Sequence, residues 1–233
     1  MKAAAPSRVL RHTLAARLGH GAAAFSVALL LLTGYALAEA LPRRVAGWLG
    51  GHAAVSGVHD AWGLGFAVVA MVLLATRWRA SRRWLGRLCR VRRQDVIWLR
   101  EFLRDFSGAR EPGAWHAGRL DPLQRWVLAL VLAMLSVVTS SGICLYLAPP
   151  EWRWVFVVAV RAHIYANEVL LAALAVHVLA GLGILPTHRG IWRSMFGDGA
   201  VPLATARRLW PGWTAGQRGS PRDEGEDGPR GRA

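Results

Sequence analysis

An all-α, membrane-embedded four-helix bundle is the fold this sequence predicts, and three observations predict it. The chain is 54% hydrophobic with only 18% charged residues. Its apolar residues gather into four long blocks, and most of its 29 Lys and Arg, set against 14 Asp and Glu, lie between those blocks. A soluble nucleic-acid binder with a net charge of +15 would spread its basic residues over a mixed surface, so the blockwise pattern excludes that class. The apolar content likewise excludes disorder over most of the chain.

A hydrocarbon core of about 30 Å takes roughly 20 helical residues to cross. Residues 19–41, 58–76, 126–148 and 155–185 are long enough and apolar enough to do so. Unpaired backbone polar groups are too costly in lipid for such spans to be anything but helices. A basic start, an apolar run and Ala38-Glu39-Ala40 also suit a secretory signal. The first run exceeds a usual signal core, however, and His20 at its head would serve no purpose in a discarded peptide. Of the 29 basic residues, 25 fall before span one, between spans two and three, or after span four, which predicts cytoplasmic termini. Trp48, Trp152 and Trp154 at the outer ends, with Trp78 and Trp126 at the inner ends, suit interfacial anchoring.

Residues 1–213 are thus expected to form one four-helix domain with a cytoplasmic loop over 77–125. Within that loop, Val96, Leu99, Leu103 and Phe106 recur at helical spacing among charges, predicting a short amphipathic helix on the membrane surface. Residues 214–233 are rich in Gly, Pro and charge and are expected to be disordered.

Ionisable residues inside a membrane span are costly, and four of the eight histidines lie there. His20 opens span one at the inner side, His59 opens span two at the outer side, and His163 and His177 share span four. Fourteen residues separate the last two, which places them on one helix face about 21 Å apart. His163 therefore matches His59 in depth, and His177 matches His20. Two imidazoles from different helices at a common depth can clamp a flat macrocycle, so the pairs His59/His163 and His20/His177 predict two bis-histidine haem irons, each without an open position.

Zinc is less suited, since it takes three or four protein ligands. Isolated histidines hydrogen-bonded to neighbouring helices would not require matched depths. Gly34, fourteen residues after His20, lies at the outer depth, where a missing side chain would admit a porphyrin or simply a neighbouring helix. His52 is the rival of His59 as a ligand, whereas His12, His116 and His188 sit in Arg-rich segments and read as surface residues. Arg17 and Arg161 are candidate partners for haem propionates, or simply mark the membrane boundaries. Cys89 and Cys144 make no CxxCH, so covalent haem attachment is excluded.

From about residue 8 to 213 the chain resembles the gamma subunit of membrane-bound formate dehydrogenase, a di-haem cytochrome b related to the cytochrome b subunits of thiosulfate reductase and nickel-iron hydrogenase. The histidine skeleton is similar, and so are DVIWL at 95–99, RLDPLQR at 119–125, RSMFGDGAV at 193–201 and ARRLWPGW at 206–213. The resemblance implies two b haems within a subunit that anchors a dehydrogenase in the bacterial inner membrane. An iron-sulfur beta subunit, fed by a molybdenum or tungsten alpha subunit, would deliver electrons to it, and menaquinone or ubiquinone would receive them. It also implies that His59 and His163 hold the outer haem, and His20 and His177 the inner.

Two departures stand out. Where the family has Asn, Gly and Gln beside its quinone, this chain has Asp121, Leu123 and Gln124, and Asp121 before Pro122 is equally a helix N-cap signal. Leu209 and Trp210 stand where relatives usually carry two histidines. The chain shows no molybdopterin or iron-sulfur motif of its own. The alternative reading is a stand-alone cytochrome b561-type protein exchanging electrons between quinone and a diffusible partner such as superoxide. A proton- or metal-binding transporter lacks the broken helices or inverted repeats it would need.

Overall fold

A computed structural model describes residues 8–39, 43–104, 120–149, 151–184 and 188–217. The chain divides into two compact units. The membrane unit, Thr13–Cys89 with Val127–Leu179, contains most of four long helices. A terminal unit is drawn from Met1–His12, Arg90–Trp126 and Ala180–Ala233.

A three-residue strand, β1 (Arg8–Leu10), leads to α1 (Leu14–Leu37), the first span. Thr13 caps it, its hydroxyl accepting from the Ala16 amide at 3.3 Å. The short α2 (Arg43–Trp48) follows, and Gly50 and Gly51, at φ 92° and 86°, make a turn that L side chains resist. That turn lets α3 (His52–Thr76) start six residues before the apolar run, so His52 opens the helix and does not sit in a loop. α6 (Pro122–Leu147) and α7 (Arg153–Leu182) are the third and fourth spans. α7 ends where Gly183 turns left-handed at φ 72°.

These four helices, 24 to 30 residues long, are long and apolar enough to cross a bilayer. Val68, Val69 and Leu73 of α3 and Val158, Val176 and Leu179 of α7 lie exposed. In water such a surface would drive aggregation, whereas lipid solvates it. The chain is a multi-pass, mostly helical membrane protein. Inside the membrane unit Val131, Leu170 and Ala173 are buried where α6 meets α7, with Met134 and Leu135 packed against them.

After α3 a single residue, Arg77, precedes α4 (Trp78–Leu88), and α5 (Arg93–Arg104) follows. The expected amphipathic helix is α5; α4 is an addition hidden in an arginine run. Arg79, Arg83 and Arg87 recur every four residues along one side of α4, while Leu88 is buried. Asp95 of α5 accepts from the Arg92 amide at 2.8 Å and pairs with Arg125 at 2.5 Å, tying the DVIWL segment to the start of α6. Both side chains of that pair are largely buried, so loss of either partner would strand a charge. His116 and Phe106 lie outside the described residues.

In the terminal unit, β1 pairs antiparallel with β2 (Ala200–Pro202), Val9 opposite Val201. This small sheet is an addition to the all-α expectation. Around it lie α8 (Arg193–Phe196), α9 (Leu203–Leu209) and α10 (Pro211–Gln217). Val201, Ala206, Leu209 and Trp210 form the core, with Val9, Ile191 and Trp213 against them. The Arg11 guanidinium stacks over the Trp210 ring, 3.2 Å from its centre. Leu209 and Trp210 therefore act as core residues in this chain. Residues 214–217, expected to be disordered, continue α10, because the Thr214 hydroxyl bonds the Pro211 carbonyl at 2.9 Å and its side chain is buried. Residues 218–233 lie outside the described residues.

Two outcomes follow. Trp210→Ala, emptying a site only 1% exposed, costs about 3–5 kcal/mol of the terminal unit's stability, measured by denaturant unfolding in detergent. Hydrogen bonds from Arg8, aided by the Ala200 amide, hold the Asp198 carboxyl below its ordinary range. The depressed value means its contribution is complete above the ordinary carboxylate range and lost as pH falls through the lowered one. Exchange protection of the β1–β2 amides, corrected for intrinsic rates, therefore weakens a few-fold at most in strong acid, and Asp198→Asn abolishes that dependence.

Candidate functional site

Each membrane histidine meets the partner its depth predicts. The His20 and His177 rings lie 6.1 Å apart, centre to centre, with planes at 40°. Those of His59 and His163 lie 6.3 Å apart with planes at 77°. An imidazole nitrogen bonds a metal at about 2 Å, with its ring centre roughly 1.1 Å farther back, so two rings clamping one ion stand about 6.3 Å apart. Both pairs have that spacing. His52 is two helical turns outside His59 on α3, and His59 is the residue whose ring faces His163.

A cavity between α1, α3, α6 and α7 is lined by His59, His163, Gly34, Gly142, Leu64 and Ile143, among others. A Cβ at Gly34 would come within 3.3 Å of His59 Cε1, and one at Gly142 within 3.3 Å of His163 Cε1. Both glycines thus hold open the space beside the outer rings. Gly34 is where the helical spacing places it. Gly142 has no counterpart at heptad distance from a histidine on its own helix, and its signal is only the Ser140-Ser141-Gly142 run of small residues in a membrane span.

The outer rings are also oriented. Thr33 Oγ1 donates to Leu29 O at 2.8 Å and stands 2.8 Å from His59 Nδ1. A hydroxyl has one hydrogen, and with that hydrogen on Leu29 O the threonine oxygen is placed to accept from Nδ1–H. His163 Nδ1 lies 3.0 Å from the Val138 carbonyl, which can only accept, and 3.1 Å from Ser141 Oγ. Both imidazoles therefore carry hydrogen on Nδ1 and present Nε2 as a bare lone pair, the state a metal requires. Thr33 and Ser141 escape sequence reading because membrane hydroxyls usually bond their own helix, as Ser136 and Ser140 do here.

The polar edge of the cavity is acidic. Tyr35 donates to Glu168 at 2.9 Å, and Asp60 lines the same space. Arg161 is exposed and does not line it. The donor set is thus two imidazole rings per level, and among the described residues no group of three or more His, Cys, Asp or Glu converges as a metal site.

Residues 11–198 match the family described as prokaryotic cytochrome b561. The chain belongs to that family. A comparison with curated proteins finds no match. Membership of the cytochrome b561 family implies membrane electron transfer by haem b, and the paired, oriented imidazoles and the glycine-lined space beside them fit such a group.

The remaining expected positions lie in the terminal unit. Asp121 is buried and its carboxylate accepts from the Gln124 amide at 2.8 Å, capping α6 with Pro122 as the first helical residue. Gln124 Oε1 is buried and without a hydrogen-bond partner among the described residues. His188 is half-buried rather than a surface residue; burial, then the Arg208 charge, push its imidazole toward the neutral form.

Gly142→Val, placing branched carbon against the His163 ring, lowers the haem content of the purified chain in the pyridine haemochrome assay. Gly65→Val, where a Cβ meets nothing within 4 Å, leaves it unchanged.

Proposed function

We propose that this chain is the membrane-anchoring di-haem cytochrome b subunit of a respiratory dehydrogenase, formate dehydrogenase being the partner its loop motifs resemble most. The observation that carries the reading is the pair of histidine contacts, 6.1 and 6.3 Å between ring centres, each joining α7 to a different helix. His59 and His163 would hold the outer haem b, and His20 and His177 the inner. A haem iron closed by two imidazoles supplies one-electron transfer and no open position for dioxygen. The chain's part is to fix four imidazoles in a water-poor bundle and to conduct electrons from an iron-sulfur beta subunit, served by a molybdenum or tungsten alpha subunit, to menaquinone or ubiquinone.

The distribution of basic residues supports cytoplasmic termini in a bacterial inner membrane, 25 of the 29 falling on one side of the spans. Gln124, whose buried side-chain oxygen lacks a partner among the described residues, is the residue we assign to the quinone. Asp121 keeps its capping role.

The description of the matched family favours a second reading, a stand-alone cytochrome b561-type protein exchanging electrons between quinone and a diffusible partner such as superoxide. One set of measurements separates the two. The detergent-purified chain shows a reduced-minus-oxidised b-type spectrum with two haems, and His163→Ala and His177→Ala each lose one. A pull-down from native membranes recovers iron-sulfur and molybdenum or tungsten subunits, and formate reduces the haems there. A colourless protein refutes both readings, whereas a coloured protein that turns over quinol with no partner recovered favours the second.

A further inference from the structure

Two dipeptides of the same kind stand against the two outer histidines. On α1 it is Thr33-Gly34, facing His59 of α3; on α6 it is Ser141-Gly142, facing His163 of α7. In each, the hydroxyl donates to a carbonyl four residues back on its own helix, Leu29 at 2.8 Å or Val137 at 2.7 Å. That commits its only hydrogen and turns its lone pairs toward Nδ1. In each, the next residue is a glycine whose absent Cβ would stand 3.3 Å from the ring's Cε1. The glycine lets the ring approach the helix closely enough to reach the hydroxyl beside it. Two unrelated helices thus present one arrangement to two histidines that face each other.

We infer that Thr33-Gly34 and Ser141-Gly142 are matched clasps whose hydroxyls are positioning residues, accepting from the Nδ1–H of His59 and His163 beside the backbone carbonyls and thereby setting the redox potential of the outer site. The inference rests on the bis-histidine reading above. A hydrogen bond from Nδ1–H makes the ring a stronger donor at Nε2. A stronger donor stabilises the more positive, oxidised iron, so the clasps lower the potential, and their removal raises it. Oriented hydroxyls in a low-dielectric interior exert this effect with little screening.

The test is an optical redox titration of the detergent-purified full chain with a haem count. Thr33→Val is expected to keep two haems and to raise one of the two midpoints while leaving the other in place. Ser141→Ala moves the same midpoint in the same direction, and Thr33→Ser returns it to the wild-type value. Because His163 retains the Val138 carbonyl at 3.0 Å, Ser141→Ala carries the measurement should Thr33→Val lose haem. Unmoved midpoints in both variants, equal movement of both midpoints, or failure of Thr33→Ser to restore the value overturns the clasp. His59→Ala gives the control on the underlying reading. If it keeps two haems, the ligand reading falls; if it loses one while the midpoints of Thr33→Val and Ser141→Ala stay put, only the clasp falls.

Discussion

Fourteen residues of helix separate His163 from His177, and the rest of the membrane unit is arranged around that spacing. A period of 3.6 residues brings both imidazoles to one face of α7, so a single helix can serve two levels only if other helices bring a histidine to each. α1 runs in the opposite sense and offers His20 at one level and Gly34 at the other. α3 offers His59. Each level therefore receives its two rings from α7 and one neighbour, and at the outer level Gly34 and Gly142 stand where a side chain would otherwise intrude.

Hydrocarbon makes this arrangement strict. An imidazole in lipid must have its N–H satisfied, and the nearest acceptors are the carbonyls and hydroxyls of an adjacent helix. Threonine and serine, which bond back to their own helix, are cheap to bury in a membrane and still have lone pairs to spare. The same economy explains the Tyr35–Glu168 hydrogen bond, which joins α1 to α7 across the cavity edge and keeps a carboxylate of the span in contact with a donor.

The terminal unit follows a different physics. Its core is small, so it depends on Trp210 and Leu209 for apolar volume and on the Arg11 stack for closure. Leu209 and Trp210 are both buried there, and apolar side chains at these positions leave no polar group to be satisfied. The Arg8–Asp198 pair joins strand β1 to the segment before β2, bringing the beginning of the described chain against its end.

Four spans and the common depth of the histidine pairs were legible in the linear order of residues, whereas the helix ends were not, α1 and α3 starting five and six residues before the expected 19 and 58. Hydropathy and helical period are properties of one segment at a time, and lipid forces every such segment into the same conformation. The start of the apolar run favoured His59 over His52, but both lie on one face of α3, and which of them meets α7 depends on where α7 stands. Thr33, Ser141 and Gly142 were hidden for the same reason: a hydroxyl or a glycine in a span has many uses, and which one applies depends on the helix opposite. The β1–β2 sheet was invisible too, since three-residue strands carry no period and their partners lie 190 to 194 residues apart, from Leu10–Ala200 to Arg8–Pro202. Local composition and period thus settled the number of membrane spans and their chemistry. The neighbour each histidine meets, and the atom its hydrogen points to, came from packing, because they are distances between segments that no single segment encodes.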